Sequence, residues 1–210
     1  MTFENFKSSF LSVYLEEQGV PLVYHGWIIA LSPFFYILSS NLIGRIIEMA
    51  PRRIFMFLAF ISVTISLLMM GPTGSFPNEL WLLYVGTGLI GFSSGFIFIP
   101  ILPESIEAVY IKRHLVEGDN EDIDNIINDK TSALYGLFYA IGAIISPYIG
   151  SVVYNYDSKA RGNWVLTCDV FSIGSAIYTL IFLVFNILPD IHLEKEQREA
   201  MLMKKYEVPD

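Results

Sequence analysis

The chain has 210 residues, of which 53% are hydrophobic and 16% charged, with a mean hydropathy of +0.51 and a formal net charge of −8. So few charges do not solvate a globule, whereas a lipid bilayer removes the need for them. A sheet-rich soluble fold is excluded as well, because it would interrupt its apolar runs with turn chemistry about every five to eight residues.

The first segment, 1–20, carries Glu4, Lys7, Glu16 and Glu17, which excludes an apolar signal peptide. A helix from Met1 to Glu17 reaches about 25 Å, less than the roughly 30 Å of a bilayer core. Glu4 and Lys7 interrupt it, so a partial span is expected. Five full spans follow, at approximately 27–47, 54–70, 80–102, 133–154 and 164–188. They meet the length of about 20 apolar residues at which a helix pairs every backbone polar group inside the bilayer. Trp27, Trp81 and Trp164 each open a span, where an amphipathic ring favours the interface. The expected fold class is an all-α membrane protein: five full transmembrane helices plus a partial N-terminal helix over 1–190, then a charged tail at 191–210.

Ten of the thirteen cationic residues fall on one side. Arg45, Arg52 and Arg53 lie between the first two full spans; Lys112, Arg113 and Lys130 lie between the third and fourth; Lys195, Arg198, Lys204 and Lys205 lie in the tail. The opposite loops hold Lys159 and Arg161, and Lys7 sits in the partial segment. The positive-inside rule therefore places the C-terminus and the loop at about 104–131 in the cytoplasm, fixing a side but not a membrane. Six acids (Glu117, Asp119, Glu121, Asp122, Asp124 and Asp129) crowd into that loop, so the net charge describes a solvated loop rather than an acidic docking surface.

Several motifs are set aside on physical grounds. The stretch from Asp119 to Asn125 is calcium-loop-like, but Asp124 stands where the turn needs glycine. The run Lys112-Arg113-His114 is too short for a nucleic-acid patch. Cys168 is alone, so no intrachain disulfide or cysteine metal site forms. Gly86-Thr87-Gly88-Leu89-Ile90-Gly91 satisfies the dinucleotide-binding spacing inside a continuous apolar span with no strand before it. Helix packing accounts for it better: Thr87, Gly91 and Gly95 recur every four residues, as do Gly142, Ser146 and Gly150, letting a neighbouring helix approach closely. No Ser/His/Asp, metal or paired-carboxylate constellation is present, so neither an enzyme nor a cofactor site is expected.

The first basic loop runs Gly44-Arg45-Ile46-Ile47-Glu48-Met49-Ala50-Pro51-Arg52-Arg53. On its residues alone it is a positive-inside turn, with Pro51 opening the next helix and Arg52 and Arg53 as interfacial anchors. It also resembles the G-x-x-x-D-R-x-G-R-R loop of the major facilitator superfamily, matched at Gly44, Glu48, Arg52 and Arg53, with Glu for Asp and with Met49 and Pro51 departing. Residues 142–151 resemble that superfamily's G-x-x-x-G-P-x-x-G-G helix through Gly142, Pro147 and Gly150, with Ser146 and Ser151 replacing glycines. Gly71-Pro72, Leu80-Trp81-Leu82 and the run from Pro100 to Glu104 are similar to the C-terminal half of the vesicular amine and polyamine transporter branch. The resemblance implies that the spans correspond to helices eight to twelve of a twelve-helix transporter, with Phe10 to Gly19 at the end of helix seven. Vesicular amine transporters carry acids in helices ten and eleven; the aligned positions here are Phe98 and Gly136, which do not titrate. Proton-coupled amine export is therefore not carried over with the scaffold.

Glu104, after Pro100 and Pro103 at the end of the third full span, is either a functional intramembrane carboxylate or an interfacial acid that snorkels or pairs with Lys130 or Arg45. Tyr36, Asn41, Tyr135 and Tyr139 either line an interior cavity or hydrogen-bond between helices. Asp169 lies near the outer end of the last span, and His25 and His192 flank spans, outside any proton relay.

The resemblance implies two six-helix halves with a solute site between them, and this chain supplies less than one half. The expected partners are the lipid bilayer, a missing N-terminal half or another membrane subunit, and a small-molecule substrate. Three readings stay open: a piece of a longer transporter, a half-transporter working as a homodimer, and a transport-inactive subunit of a larger membrane complex.

Overall fold

Lipid offers no partner for a backbone N–H or C=O, so apolar runs of this length satisfy their polar groups internally as helices. The computed structural model describes residues 2–46, 51–71, 79–113, 115–118, 120–156 and 163–189, and among them there is no strand. In chain order the helices are α1 (Thr2–Glu17), α2 (Leu22–Ile46), α3 (Arg52–Met70), α4 (Leu80–Arg113), α5 (Glu121–Tyr154) and α6 (Asn163–Phe182). A π-helical turn at Leu183–Ile187 prolongs α6. Among the described residues, five helical segments are long and apolar enough to cross a membrane: α2 to α5 and the stretch Trp164–Ile187. The sixth, α1, has 16 residues and is about 24 Å long. Its buried face carries Lys7, Leu11, Tyr14 and Leu15, at helical spacing, and it packs on α5 and α2.

Both α4 and α5 have 34 residues, about 51 Å of helix against a core of about 30 Å. The segment expected as a loop at about 104–131 is consequently helical on both sides of a short turn at 115–118. The crowded acids explain why. The Asn120 side-chain oxygen caps α5 by accepting the N–H groups of Asp122 and Ile123 at 3.0 and 3.3 Å. Glu121, Asp122 and Asp124 then occupy the first turn, where the helix dipole favours negative charge. Asp124 also accepts the Tyr110 hydroxyl at 2.6 Å and the Gly118 N–H at 2.9 Å, tying the two helices together at the turn.

The central helix is α4, packed between α2 and α3. Its small residues make that position available: a Cβ at Gly91 would fall on the Ser32 carbonyl oxygen, and one at Gly95 on the Ser39 hydroxyl. At Gly86 a Cβ would lie 2.6 Å from Met70 Cγ on α3. Hydroxyls bridge the helices between these contacts. Ser93 donates to Ser62 at 2.8 Å, Thr64 to Ser175 at 3.0 Å, and Ser172 to the Thr64 carbonyl at 3.3 Å.

Two apolar cores close the ends of the bundle. At one end Trp164 is buried; its indole N–H donates to the Met70 carbonyl at 2.9 Å and its ring stacks on Tyr14 at a centroid distance of 4.9 Å. Trp164 is therefore a core residue rather than the interfacial ring expected, whereas Trp27 and Trp81 are 75% and 55% exposed, as an interfacial ring requires. At the other end, Met56, Phe182 and Ile187 form a second cluster with Phe60, whose ring meets Tyr178 at 4.9 Å and Phe182 at 5.2 Å.

Candidate functional site

A turn of helix separates residues i and i+4, which therefore stand one above the other on the same face. Three helices use this spacing to build one cleft: Ser32 and Tyr36 on α2, Ser94 and Phe98 on α4, Tyr135 and Tyr139 on α5, with Pro33 completing the wall. The cleft is open to one side and holds about 430 Å³. A second cavity, near Tyr14 and Glu79, holds only about 20 Å³, room for one water. Close approach of α2 and α4 at Gly91 and Gly95 fixes the first two walls, because Ser32 contacts Gly91 through its backbone while lining the cleft. Across the cleft the Tyr36 and Phe98 rings stand 6.3 Å apart at an interplanar angle of 53°.

The structure thus brings together Tyr36, Tyr135 and Tyr139 of the residues singled out in the sequence. Asn41 does not join them: it is exposed, and its amide donates to the Ile37 carbonyl at 2.8 Å on its own helix. Glu104 stands apart too, paired with Arg53 rather than with Lys130 or Arg45. Three residues further along α4, Glu107 accepts Arg52 at 2.9 Å, so the two arginines of the basic loop clamp α3 to α4. Their exposure separates the pairs. Arg53 and Glu104 side chains are 27% and 19% exposed, Arg52 and Glu107 are 36% and 56% exposed. Gly44 opens on empty space, while Glu48, Asp119, His192 and the tail at 191–210 lie outside the described residues.

On α5, Ser146 and Gly150 are buried and Gly142 and Pro147 half-buried. Sequence reasoning missed Ser32, Pro33 and Ser94 as wall residues; the i, i+4 pairing with Tyr36 and Phe98 was the available signal. It also placed His25 outside the spans, whereas the ring is buried at the start of α2. With Nε2–H donating to the Val20 carbonyl at 2.8 Å, the neutral ring accepts the Ser12 hydroxyl at Nδ1, 3.1 Å away, and so ties α1 to α2.

No protein-family model and no solved structure matches the chain. Three curated proteins are similar to it, each named MFS-type transporter SLC18B1. The rat protein is 25% identical over 144 residues, covering 64% of this chain and 30% of the relative; the mouse protein is 24% identical with the same coverage. The human protein is 24% identical over 161 residues, covering 72% of this chain and 34% of the relative. The chain therefore spans about a third of the length of the relatives it matches. The described residues thus form an all-helical bundle with five candidate membrane spans, in a chain distantly similar to MFS-type transporters.

Proposed function

We propose that the chain is the C-terminal half of a major facilitator-type transporter of a small solute, and that the α2–α4–α5 cleft is its share of the solute path. The observation that carries this reading is the convergence of Tyr36, Tyr135 and Tyr139 from two helices onto one open cleft beside α4. Solute sites of such transporters lie between two helical halves, and an open, hydroxyl-bearing wall is what one half contributes. The Arg52 and Arg53 end is assigned to the cytoplasm by the positive-inside rule.

Cysteine accessibility tests the path. In a Cys168→Ala background reconstituted in vesicles, Tyr139→Cys should react with a membrane-impermeant charged thiol reagent. Ile144→Cys, 75% exposed on the same helix, should not. Equal rates at the two positions would remove the cleft from any solute path.

A second reading, a transport-inactive subunit docked on a larger membrane complex, is favoured by Glu104. The acid nearest the cleft along α4 is already engaged in the ion pair with Arg53. Purification in mild detergent separates the two: fixed stoichiometry with unrelated membrane proteins supports the subunit, and association with a six-helix N-terminal half supports the transporter.

A further inference from the structure

From the cleft we infer its ligand class: an uncharged, planar molecule bearing hydrogen-bond acceptors, taken in preference to a cation of the same shape. The inference rests on the cleft being a solute path, and it adds what travels there.

Donors come first. None of the phenol hydroxyls of Tyr36, Tyr135 and Tyr139 has a hydrogen-bond partner among the described residues. Ser94, by contrast, spends its hydroxyl on the Ile90 carbonyl at 2.8 Å. Three phenols without a protein partner in one open cleft offer their donors to a ligand that brings acceptors and takes the place of water there. Shape follows from the rings. Tyr36 and Phe98 stand at 53° to each other, so they do not fill each other's faces, and a flat ligand is the complement of an exposed ring face.

Charge decides the class. No Asp, Glu, Lys, Arg or His occurs in residues 26–44, 80–103 or 131–156, the stretches of α2, α4 and α5 around the cleft. Glu104, the first acid beyond Phe98 on α4, is held by Arg53. An ammonium entering such a site surrenders hydration and finds no carboxylate of this chain there, but ring faces and hydroxyl oxygens, which return part of it. A neutral ligand carrying a carbonyl gives up less and gains the phenols.

The test uses quinoline-3-carboxamide and the 1-methylquinolinium-3-carboxamide cation as probes, with the full chain in lipid nanodiscs. Saturable binding of the neutral probe should be at least about tenfold tighter than that of the cation. In Tyr36→Phe/Tyr135→Phe/Tyr139→Phe, which keeps the rings and deletes the donors, the neutral probe should weaken by about tenfold, and the cation, which carries the same carboxamide, should not weaken by more than that. Unaltered helical circular dichroism and elution volume establish that the variant is folded; if it is not, the single Tyr139→Phe variant, at the 45% exposed position, replaces it with a two- to threefold loss expected. Equal or tighter binding of the cation overturns the inference. So does undiminished binding of the neutral probe by the phenylalanine variant, or no saturable binding by the folded wild type. Charged-reagent labelling of Tyr139→Cys without binding of the neutral probe overturns the ligand class and leaves the path standing; absence of labelling overturns both.

Discussion

Helices α4 and α5 have the same length and each carries a stripe of small residues at four-residue spacing, yet the bundle uses them oppositely. Along α4 the stripe is consumed: Gly91 and Gly95 touch α2 so closely that no Cβ fits, and Gly86 does the same against α3. Along α5, Ser146 and Gly150 are buried, but Phe138, Ile144 and Tyr148 on other faces are 65%, 75% and 73% exposed. Small-residue spacing permits close approach without saying how many neighbours make it. The helix flanked on two sides becomes the seam of the fold, and the peripheral one keeps a wall free for the cleft.

The largest test of this difference is Gly91→Ala. The new methyl meets backbone, the Ser32 carbonyl, which cannot rotate away as a side chain would. A loss of about 3 kcal/mol is expected, read as a lowered Tm in detergent and as a loosened α2–α4 contact. An unchanged Tm would mean that α4 is not the seam.

Next comes the end of α4 that α5 lacks, its clamp to α3. Glu104→Ala leaves the largely enclosed Arg53 guanidinium without this carboxylate and should cost about 2 kcal/mol. Glu107→Ala removes a pair at 2.9 Å that is well hydrated, and should cost under about 1 kcal/mol, vanishing at high salt. The same unfolding measurement at two ionic strengths separates the pairs. At the matching end of α5 stands a cap instead: Asn120→Ala deletes the acceptor for two backbone N–H groups and should cost about 1 kcal/mol, seen as faster amide exchange at Asp122 and Ile123.

The spans were legible because length and hydropathy are properties of one helix at a time. Their ends were less so. Hydropathy started the fourth full span near Ala133, but Asn120 and the acids after it support helix outside the bilayer, where apolar content is irrelevant. Trp164 was misplaced for a related reason: a ring with one polar atom suits an interface or a core that offers a carbonyl, and only the fold supplies the Met70 carbonyl. Of the candidate wall residues, tyrosines announce themselves by type, while Ser32 and Ser94 are ordinary helix serines until α2 and α4 are brought together. For Glu104 the sequence offered Lys130 or Arg45 as partners; the pairing with Arg53, 51 residues earlier, shows only once α3 and α4 are packed together.

The smallest effect has the opposite sign and lies on α5. At Gly136, beside Tyr135, a Cβ would meet nothing within 4 Å, and the backbone is helical. Gly136→Ala therefore adds no clash, while alanine gives up less chain entropy on entering a helix than glycine does. A gain of about 0.5 kcal/mol is expected, visible as a slightly raised Tm in the assay that registers the collapse of Gly91→Ala. The open wall and the closed seam would then differ in sign for one and the same substitution. A destabilised Gly136→Ala protein would show instead that something packs on this face of α5, the result a docked partner beside the cleft would produce.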